Sequence, residues 1–586
     1  MSFSLITTAY SKSWPKAGRV VFLGEWCKEG NHVFKQYEKT ETLKPFSVEK
    51  EKKISLINYS NNLYLELIDE LTHELNRFHQ LNMSKRFWTI IIGPWLMTYT
   101  RLIINRYFTL EQVFNDFDIS ETIVSNQESY DLSSNEFMGF LDDTSDDIWN
   151  FVLYSNIIKN LRNKKIELVQ NKDNIARKRR KSPLNHRPGI RSFFKKIILF
   201  VSRYMSFFSR NSDRVIIKSY LPIIQELFLQ ASFFQFPRIF STPKIKTYKL
   251  DKKARNNFFQ NYGQYSDEKR EIRRLVSILI PKAYLEGFKD IQRITENLNW
   301  PKNPKFIFTS NSFSVDEIFK VYTAEKTEMK VPYFVGQHGN NYGTLIGSEF
   351  WPEMLTCTAL ISWGWTGVYK NIAIKPAFNL KLAGKKKSNY DKNGGLLVIN
   401  RGPGIRCGPH DKFFEHIMNN QYTKGFIKNL SDTIRRKLTL RLHHGSIERG
   451  QGKDILFWSK LFPVIKIDSG YSNINDLKKT SRIIVHTYDS TGVLETLQEN
   501  IPTILFFQDN LELLLPEAKF FYELLVEAKI LHLDNKSAAN HLNEIWENID
   551  KWWESEKTQR AKNIFCNQYS KDSLKPARDL KKVLEK

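Results

Sequence analysis

Several short runs of this sequence gather side chains that could hold an anion or move a proton. GQHGNNYG (336–343) sets His338 among glycines, flanked by Gln337 and Asn340. A histidine in a glycine-rich turn is poorly placed to be a core residue. Its neutral ring can accept a proton or hydrogen-bond a phosphate or a hydroxyl. TSNSFSVDEIFK (309–320) adds Asn311 and Asp316, and Asp316 is either a reacting carboxylate or a first-turn residue favoured by the helix dipole. INRGPGIR (399–406) carries Arg401, LTLRLHHG (438–445) carries Arg441 and His443, and HTYDSTGVLETL (486–497) carries Ser490, Thr491 and Glu495. Guanidinium and hydroxyl groups beside the free N–H groups of a helix start suit a phosphate. Ser490 or Thr491 equally suits a plain helix cap. Glu495 suits a ribose diol or stays solvated, and Asp489 reads as a turn residue.

Each run sits where an apolar stretch ends. FIFTS (306–310), VPYFV (331–335), TALISWGW (358–365), Gly395 to Asn400, VIKID (464–468), Ile483 to Val485 and Ile501 to Phe507 all read as short buried strands. Helix-like segments lie between several of them, and strand–turn–helix–strand repeats imply parallel sheets. In such sheets the carboxyl ends of the strands form the ligand crevice, so the runs converge on common edges. Phe3 to Thr8, Val20 to Leu23 and Val215 to Ser219 supply further strands, and residues 47–81 a packed helix. The expected architecture is α/β, with two Rossmann-like domains facing a cleft and helical insertions in the first. Residues 1–384 form the first domain, 385–392 a linker, 393–560 the second domain and 561–586 a helical tail.

The bulk properties narrow the partners. With 586 residues, 41% of them hydrophobic, the chain can bury more than one core. A net charge of +25 implies an anionic partner. Cys27, Cys357, Cys407 and Cys566 are widely spaced and read as free thiols. The first ten residues lack a signal-peptide pattern, and no uncharged apolar run reaches about 18 residues, so no membrane-spanning helix is expected. Residues 176–211 hold eleven Lys/Arg and no Asp/Glu, and their polybasic start gives way to Ile197 to Val201 and Phe207-Phe208. Basic residues beside apolar ones suit an anionic membrane surface. Nucleic acid is the weaker partner, because no known binding motif accompanies the charge. Asn82, Ser84, Lys85 and Arg86 precede an aromatic segment broken at Gly93-Pro94; Lys85 or Arg86 meets an anion, or the group caps a buried helix.

The chain resembles a family of bacterial surface-polysaccharide transferases. The pieces that carry the likeness are LGEWC (23–27), NMSKRFWTIIIGPWL (82–96), TSNSFSVDEIFK, VGQHGNNYG and HTYDSTGVLETL. More distantly it is similar to capsule Kdo transferases and CDP-glycerol glycerophosphotransferases, in which a strand ending in His-Pro and a later Ser/Thr turn hold a cytidine nucleotide. Here His443 takes the histidine position, His444 replaces the proline, and Ser490, Thr491 and Glu495 match the turn and its helix. The resemblance implies a GT-B glycosyltransferase moving a sugar, with a CMP-activated acidic sugar as the candidate donor, to a surface polysaccharide or lipid-linked glycan. His338 or Asp316 would act in the cleft, and Arg401, Arg441, His443, Ser490 and Thr491 would neutralise the leaving phosphate without a metal or other cofactor. The alternatives are a CDP-linked glycerophosphate or polyol-phosphate transferase and a non-catalytic membrane scaffold. The expected location is cytoplasmic, on the inner face of the cell membrane.

Overall fold

The computed structural model describes residues 2–585 except 30–33, 128, 162–165, 172–209, 261–262, 386–389, 405, 446–452 and 508–509. Nearly all of the basic segment 176–211, with its expected membrane contact, and half of the linker lie outside the described residues.

Sixteen strands among the described residues form three sheets, in which every strand pair is parallel. The first sheet holds β1 (Phe3–Ile6), β2 (Arg19–Phe22), β3 (Lys39–Thr42), β4 (Ile119–Ser125) and β5 (Glu167–Asn171), in the order β3-β2-β1-β4-β5. The second holds β6 (Val215–Ile217), β7 (Ile307–Thr309), β8 (Tyr333–Gly336), β9 (Ala359–Ser362) and β10 (Ile374–Pro376), in the order β10-β9-β8-β7-β6. The third holds β11 (Gly395–Ile399), β12 (Leu438–Arg441), β13 (Lys466–Asp468), β14 (Ser481–His486), β15 (Thr503–Phe506) and β16 (Leu531–His532), in the order β13-β12-β11-β14-β15-β16. The first 384 residues therefore build two sheets rather than one Rossmann-like half. β3 (KTET) and β5 (ELVQN) are polar edge strands that show no apolar run in sequence.

The third sheet is doubly wound. From β11 the chain steps outward to β12 and β13, then returns to β14 on the other side of β11 and steps away through β15 and β16. That reversal opens a crevice between the loops after β11 and β14, the place where such sheets bind ligands. The second sheet runs in one direction and has no reversal.

Two long helices, α1 (Lys50–His79) and α2 (Lys85–Asp116), pack on each other, and α2 packs in turn on the helix Glu317–Glu328 between β7 and β8. Leu63, Leu67, Ile68, Leu71 and Leu75 recur at helical spacing on α1 and are buried, which fixes its inward face. Ser84 caps α2, accepting from the Phe87 N–H at 3.1 Å. The helix then continues unbroken through Gly93-Pro94, so the expected interruption does not occur; packing on its neighbours outweighs the one backbone bond that proline removes. α2 is long and apolar enough to cross a membrane, but 83% of its most apolar window is buried inside the protein, as in a core helix.

At the other end, α6 (Glu556–Tyr569) and α7 (Pro576–Glu585) return to the second sheet. Lys571 N–H donates to the Trp363 carbonyl at 2.9 Å, and Asn379 N–H to the Lys571 carbonyl at 2.8 Å. Three further helices bear on the site: α3 (Glu317–Glu328), α4 (Lys412–Asn429) and α5 (Thr491–Gln498).

Candidate active site

The turn after β8 delivers His338. Its Nδ1 lies 2.7 Å from the Tyr342 hydroxyl, which in turn donates to Glu353 Oε1 at 2.6 Å. Because the one tyrosine proton goes to the carboxylate, the tyrosine oxygen accepts from Nδ1–H. The Nε2 of His338 is then the unprotonated nitrogen, and it hydrogen-bonds nothing among the described residues. Rings of Tyr220, Phe313 and Tyr342 surround the imidazole with centroids 6.2, 5.6 and 5.3 Å away. Burial among them holds its pKa down to about 4, so the ring is neutral at ordinary pH. The turn itself needs glycine at 343: φ is +71°, and a Cβ there would lie 2.5 Å from the Trp365 ring.

The same turn grips the third sheet. Asn340 N–H donates to Thr491 Oγ1 at 3.1 Å, and Asn340 Nδ2 donates to Asp489 Oδ1 at 2.6 Å. The other oxygen of Asp489 accepts from the Tyr522 hydroxyl at 2.7 Å. Burial pushes the Asp489 carboxyl up to about 6 against these two hydrogen bonds. Slightly further on, Ile346 N–H donates to the Leu513 carbonyl (3.1 Å) and Leu515 N–H to the Thr344 carbonyl (2.8 Å). The GQHGNNYG and HTYDST turns therefore touch. Asp489 is a latch between the two sheets rather than a bystander in its turn.

At the third sheet's reversal, Asn400 to Gly404 follows β11 and Thr487 to Ser490 follows β14. Thr487 hydroxyl bonds Asn400 Oδ1 (3.3 Å) and Asn419 Oδ1 (3.2 Å), and so ties the two loops to α4. A Cβ on Gly402 would lie 2.6 Å from the His443 Cβ, so glycine lets the loops after β11 and β12 meet. Arg401 is held by Glu415 of α4, with Nη2 2.7 Å from Oε2. Glu415 also meets Lys53 Nζ of α1 at 2.5 Å, His410 Nε2 at 3.2 Å and Lys412 Nζ at 3.6 Å. Burial alone would raise that carboxyl, but Lys412, His410 and Arg401 hold it well below the usual range. The loop is also pinned from outside, by Arg106 of α2 donating to the Arg406 carbonyl at 3.0 Å.

The remaining sequence candidates distribute as follows. Ser490 stands at the cap position of α5, yet its hydroxyl makes no capping bond; Thr491 accepts from Asn340 instead. Glu495 pairs with Lys381 at 2.5 Å, and the Lys381 charge reaches Tyr220 beside His338. His443 stacks on His444 at 4.3 Å, its Nδ1 accepting from Gly445 N–H. Arg441 is turned away from the crevice: it bonds Asp468 (2.8 Å) and the carbonyls of Ser472 and Gly470 (each 3.0 Å), so it braces the turn after β13. Asp316 caps α3, Oδ1 accepting from Phe319 N–H at 3.1 Å while Oδ2 accepts from Thr242 at 2.7 Å. With both oxygens engaged and no contact to His338, it fills the helix-dipole role. Gln337 is an internal clamp on Gly339, Trp363 and Trp365. Asn311 precedes a short helix without capping it. Lys85 pairs with Asp69 and Arg86 with the Thr356 carbonyl, so the capped-helix alternative describes that group.

Sequence reasoning missed Tyr342, Glu353, Asp489, Lys53, Lys412 and Glu415. Tyr342 lies four residues after His338 and was within reach of the motif. Lys53 and Glu415 are 362 residues apart and each looks like an ordinary charge on a helix.

A family model described as LIC12162 family transferase matches residues 3–584. No curated protein matches the chain. Among solved structures, MurG of Acinetobacter baumannii is 10% identical with a TM-score of 0.33, over 64% of this chain and 99% of that one. The wall teichoic acid polymerase TagF is 12% identical with a TM-score of 0.33, over 67% and 96%. A UDP-forming α,α-trehalose-phosphate synthase from Burkholderia vietnamiensis is 9% identical with a TM-score of 0.29, over 55% and 78%. Scores this low carry no argument, and the topology stands on its own strand order. The family match spans almost the whole chain, and on that ground the protein belongs to the LIC12162 family of transferases.

Proposed function

We propose that this transferase moves a glycosyl group from a nucleotide-activated donor to a hydroxyl of a surface polysaccharide or lipid-linked glycan, in a GT-B arrangement of the second and third sheets. One observation carries the reading: the turn that holds a neutral, base-competent His338 docks directly on the third sheet's reversal point, through Asn340 on Thr491 and Asp489. A base beside the reversal crevice of a doubly wound sheet is what acceptor activation and donor binding require.

On this reading His338 Nε2 takes the proton of the acceptor hydroxyl as that oxygen forms its bond to the anomeric carbon. The bond from that carbon to the donor phosphate breaks, and its electrons leave with the nucleotide. Tyr342 and Glu353 hold the imidazole in the productive tautomer and favour the imidazolium that forms. Single displacement with a general base inverts the anomeric configuration. Arg401, His443 and the free N–H groups of α5 beside Ser490 and Thr491 receive the phosphates, while Glu495 stays paired with Lys381. Cationic side chains neutralise the departing charge, so no metal is needed. Association with an anionic membrane surface through residues 176–211 remains within the proposal, and deleting them should release the protein from vesicles.

The test is a thermal-shift screen with CMP, CDP, UDP and GDP, followed by product analysis by mass. Stabilisation by at least one nucleotide and a product heavier by a sugar residue are expected. No stabilisation by any nucleotide would remove the donor site; a phosphodiester product would replace sugar transfer by polyol-phosphate transfer.

A further inference from the structure

The helix Ile223–Ser232, which follows β6, turns polar side chains toward the protein and apolar ones toward solvent. The Glu226 carboxylate accepts from the hydroxyl and the N–H of Ser219. Gln230 is buried against the Arg238 backbone, its Nε2 donating and its Oε1 accepting at 2.9 Å each. Ile224, Phe228 and Ala231 recur at helical spacing on the outer side, where Ile224 is 62% and Phe228 60% exposed and Ile223 is exposed beside them. Just past the helix end, Phe234 leaves 85% of its surface in the open. It does so from the left-handed region, at φ +58°, a position after a helix where glycine is usual and a bulky residue is strained. Strain kept at one residue to hold a ring outward points to a use for that ring. An exposed apolar patch of this kind marks a contact surface.

Cations flank the patch. Lys581 of α7, which packs along this helix, donates to the Ser232 carbonyl at 2.6 Å and lies 5.6 and 5.4 Å from the ring centres of Phe233 and Phe234. The Arg214 guanidinium lies 4.5 Å from the Phe233 ring. Exposed Lys385 follows Gly384, where a Cβ would lie 2.7 Å from Gln225 of the helix's first turn. Of the acids here, Glu226 is turned inward and Glu585 lies 3.9 Å from Lys581. The polybasic stretch 176–211 ends beside the same patch: the Gln235 side chain bonds the N–H and the carbonyl of Arg214, at 2.9 and 3.0 Å.

We infer that this face is where the protein lies on an anionic phospholipid bilayer, with Ile224, Phe228 and Phe234 entering the headgroup boundary while the flanking cations meet lipid phosphates. A second copy of a chain with net charge +25 would set like charge against like, so a lipid surface is the occupant that the charge favours. The inference rests on the reading of a lipid-linked acceptor and deepens it by giving that acceptor a route. Tyr220, whose ring lies 6.2 Å from that of His338, stands three residues before Ile223. A bilayer on this face brings an anchored hydroxyl toward the base while the lipid tail stays in the membrane.

The experiment is co-sedimentation of the full chain with vesicles of phosphatidylcholine, alone or mixed with phosphatidylglycerol. It uses wild type, the double variant Ile224→Ser with Phe228→Ser, and Phe234→Gly, each also followed by thermal melting and sedimentation velocity. Wild type should bind mixed vesicles at least about tenfold more tightly than neutral ones; equal binding to both overturns the anionic surface. The double variant should bind mixed vesicles about tenfold more weakly, because two apolar side chains no longer enter the lipid. Phe234→Gly should bind about threefold more weakly while its melting temperature rises or stays level, since glycine removes the left-handed strain. A ring kept only for packing gives the reverse, a lower melting temperature with unchanged vesicle binding, and that result overturns the inference. Wild-type affinity in the double variant overturns it too, whatever residues 176–211 contribute. With vesicle binding intact, a change from dimer to monomer would assign the face to a second copy, and a melting point several degrees lower would assign it to the chain's own apolar run 197–201; either overturns the inference. If the double variant fails to fold, Phe234→Gly decides. Patch-dependent vesicle binding without stabilisation by any nucleotide would keep this surface and remove the transferase reading. Nucleotide stabilisation with patch-independent vesicle binding would do the opposite.

Discussion

The β8 turn and the loop after β11 are two glycine-rich strand ends built on opposite electrostatic principles. His338 lies among aromatic rings, reaches the Glu353 carboxylate through a tyrosine hydroxyl, and is kept neutral by burial. Arg401 lies among charges, where Lys53 and Lys412 crowd one glutamate beside the neutral ring of His410. A direct carboxylate contact would raise the pKa of His338 and favour its protonated form. An apolar wall around Arg401 would leave a guanidinium with nothing to hold. The difference sets a neutral ring in an apolar wall apart from a guanidinium among charges, and Asn340, Thr491 and Asp489 join the edges of the two sheets that carry them.

The largest test of this contrast is His338→Ala, which should lower kcat by about 10²–10⁴-fold while nucleotide binding is retained, as expected for loss of a general base. In the wild type, kcat/KM should stay level as pH falls and drop only through about pH 4, where the buried imidazole charges. A limb near the ordinary value of about 6.5 that persists in Asp489→Asn, which removes the carboxyl pushed up to about 6, would show that the ring is solvated and would break the contrast. Next, Arg401→Met should raise the donor KM by about thirtyfold or more with little change in kcat, since one partner of a hydrogen-bonded charge pair is lost; an equal fall in kcat would place Arg401 at the reacting atoms. Smaller again, Tyr342→Phe should cost about tenfold in kcat, the worth of one buried hydrogen bond, and leave the donor KM alone. Smallest is Arg86→Ala together with Lys85→Ala, which should change activity by less than about twofold, because surface ion pairs and caps far from the site contribute little. A larger loss would return that group to the anion-binding role that its sequence suggests.

Much of the scaffold was legible in the chain. The apolar runs at 306–310, 331–335, 358–365, 395–400, 464–468, 483–485 and 501–507 all contain strands, because parallel sheets buried on both faces need continuous apolar segments. Polar edge strands such as β3 gave no such signal, and so a separate first sheet went unseen. Lys39 to Thr42 and Glu167 to Asn171 pair through backbone hydrogen bonds that their side chains do not announce.

The site divides along the same line. Residue type and local turn chemistry by themselves placed His338, Arg401, His443, Ser490 and Thr491 at strand ends, since a strand, a glycine turn and a helix start are local events. Which of them face one another is a non-local matter. The tertiary structure turned Arg441 toward Asp468, committed Asp316 to capping α3, and made Asp489 a latch. It brought Glu353 to His338 through Tyr342, and Lys53 to Glu415 across 362 residues. No sequence period encodes those meetings. They exist because three separately wound sheets pack with particular edges together, and that packing alone decides which charges are compensated and which proton acceptor is left free.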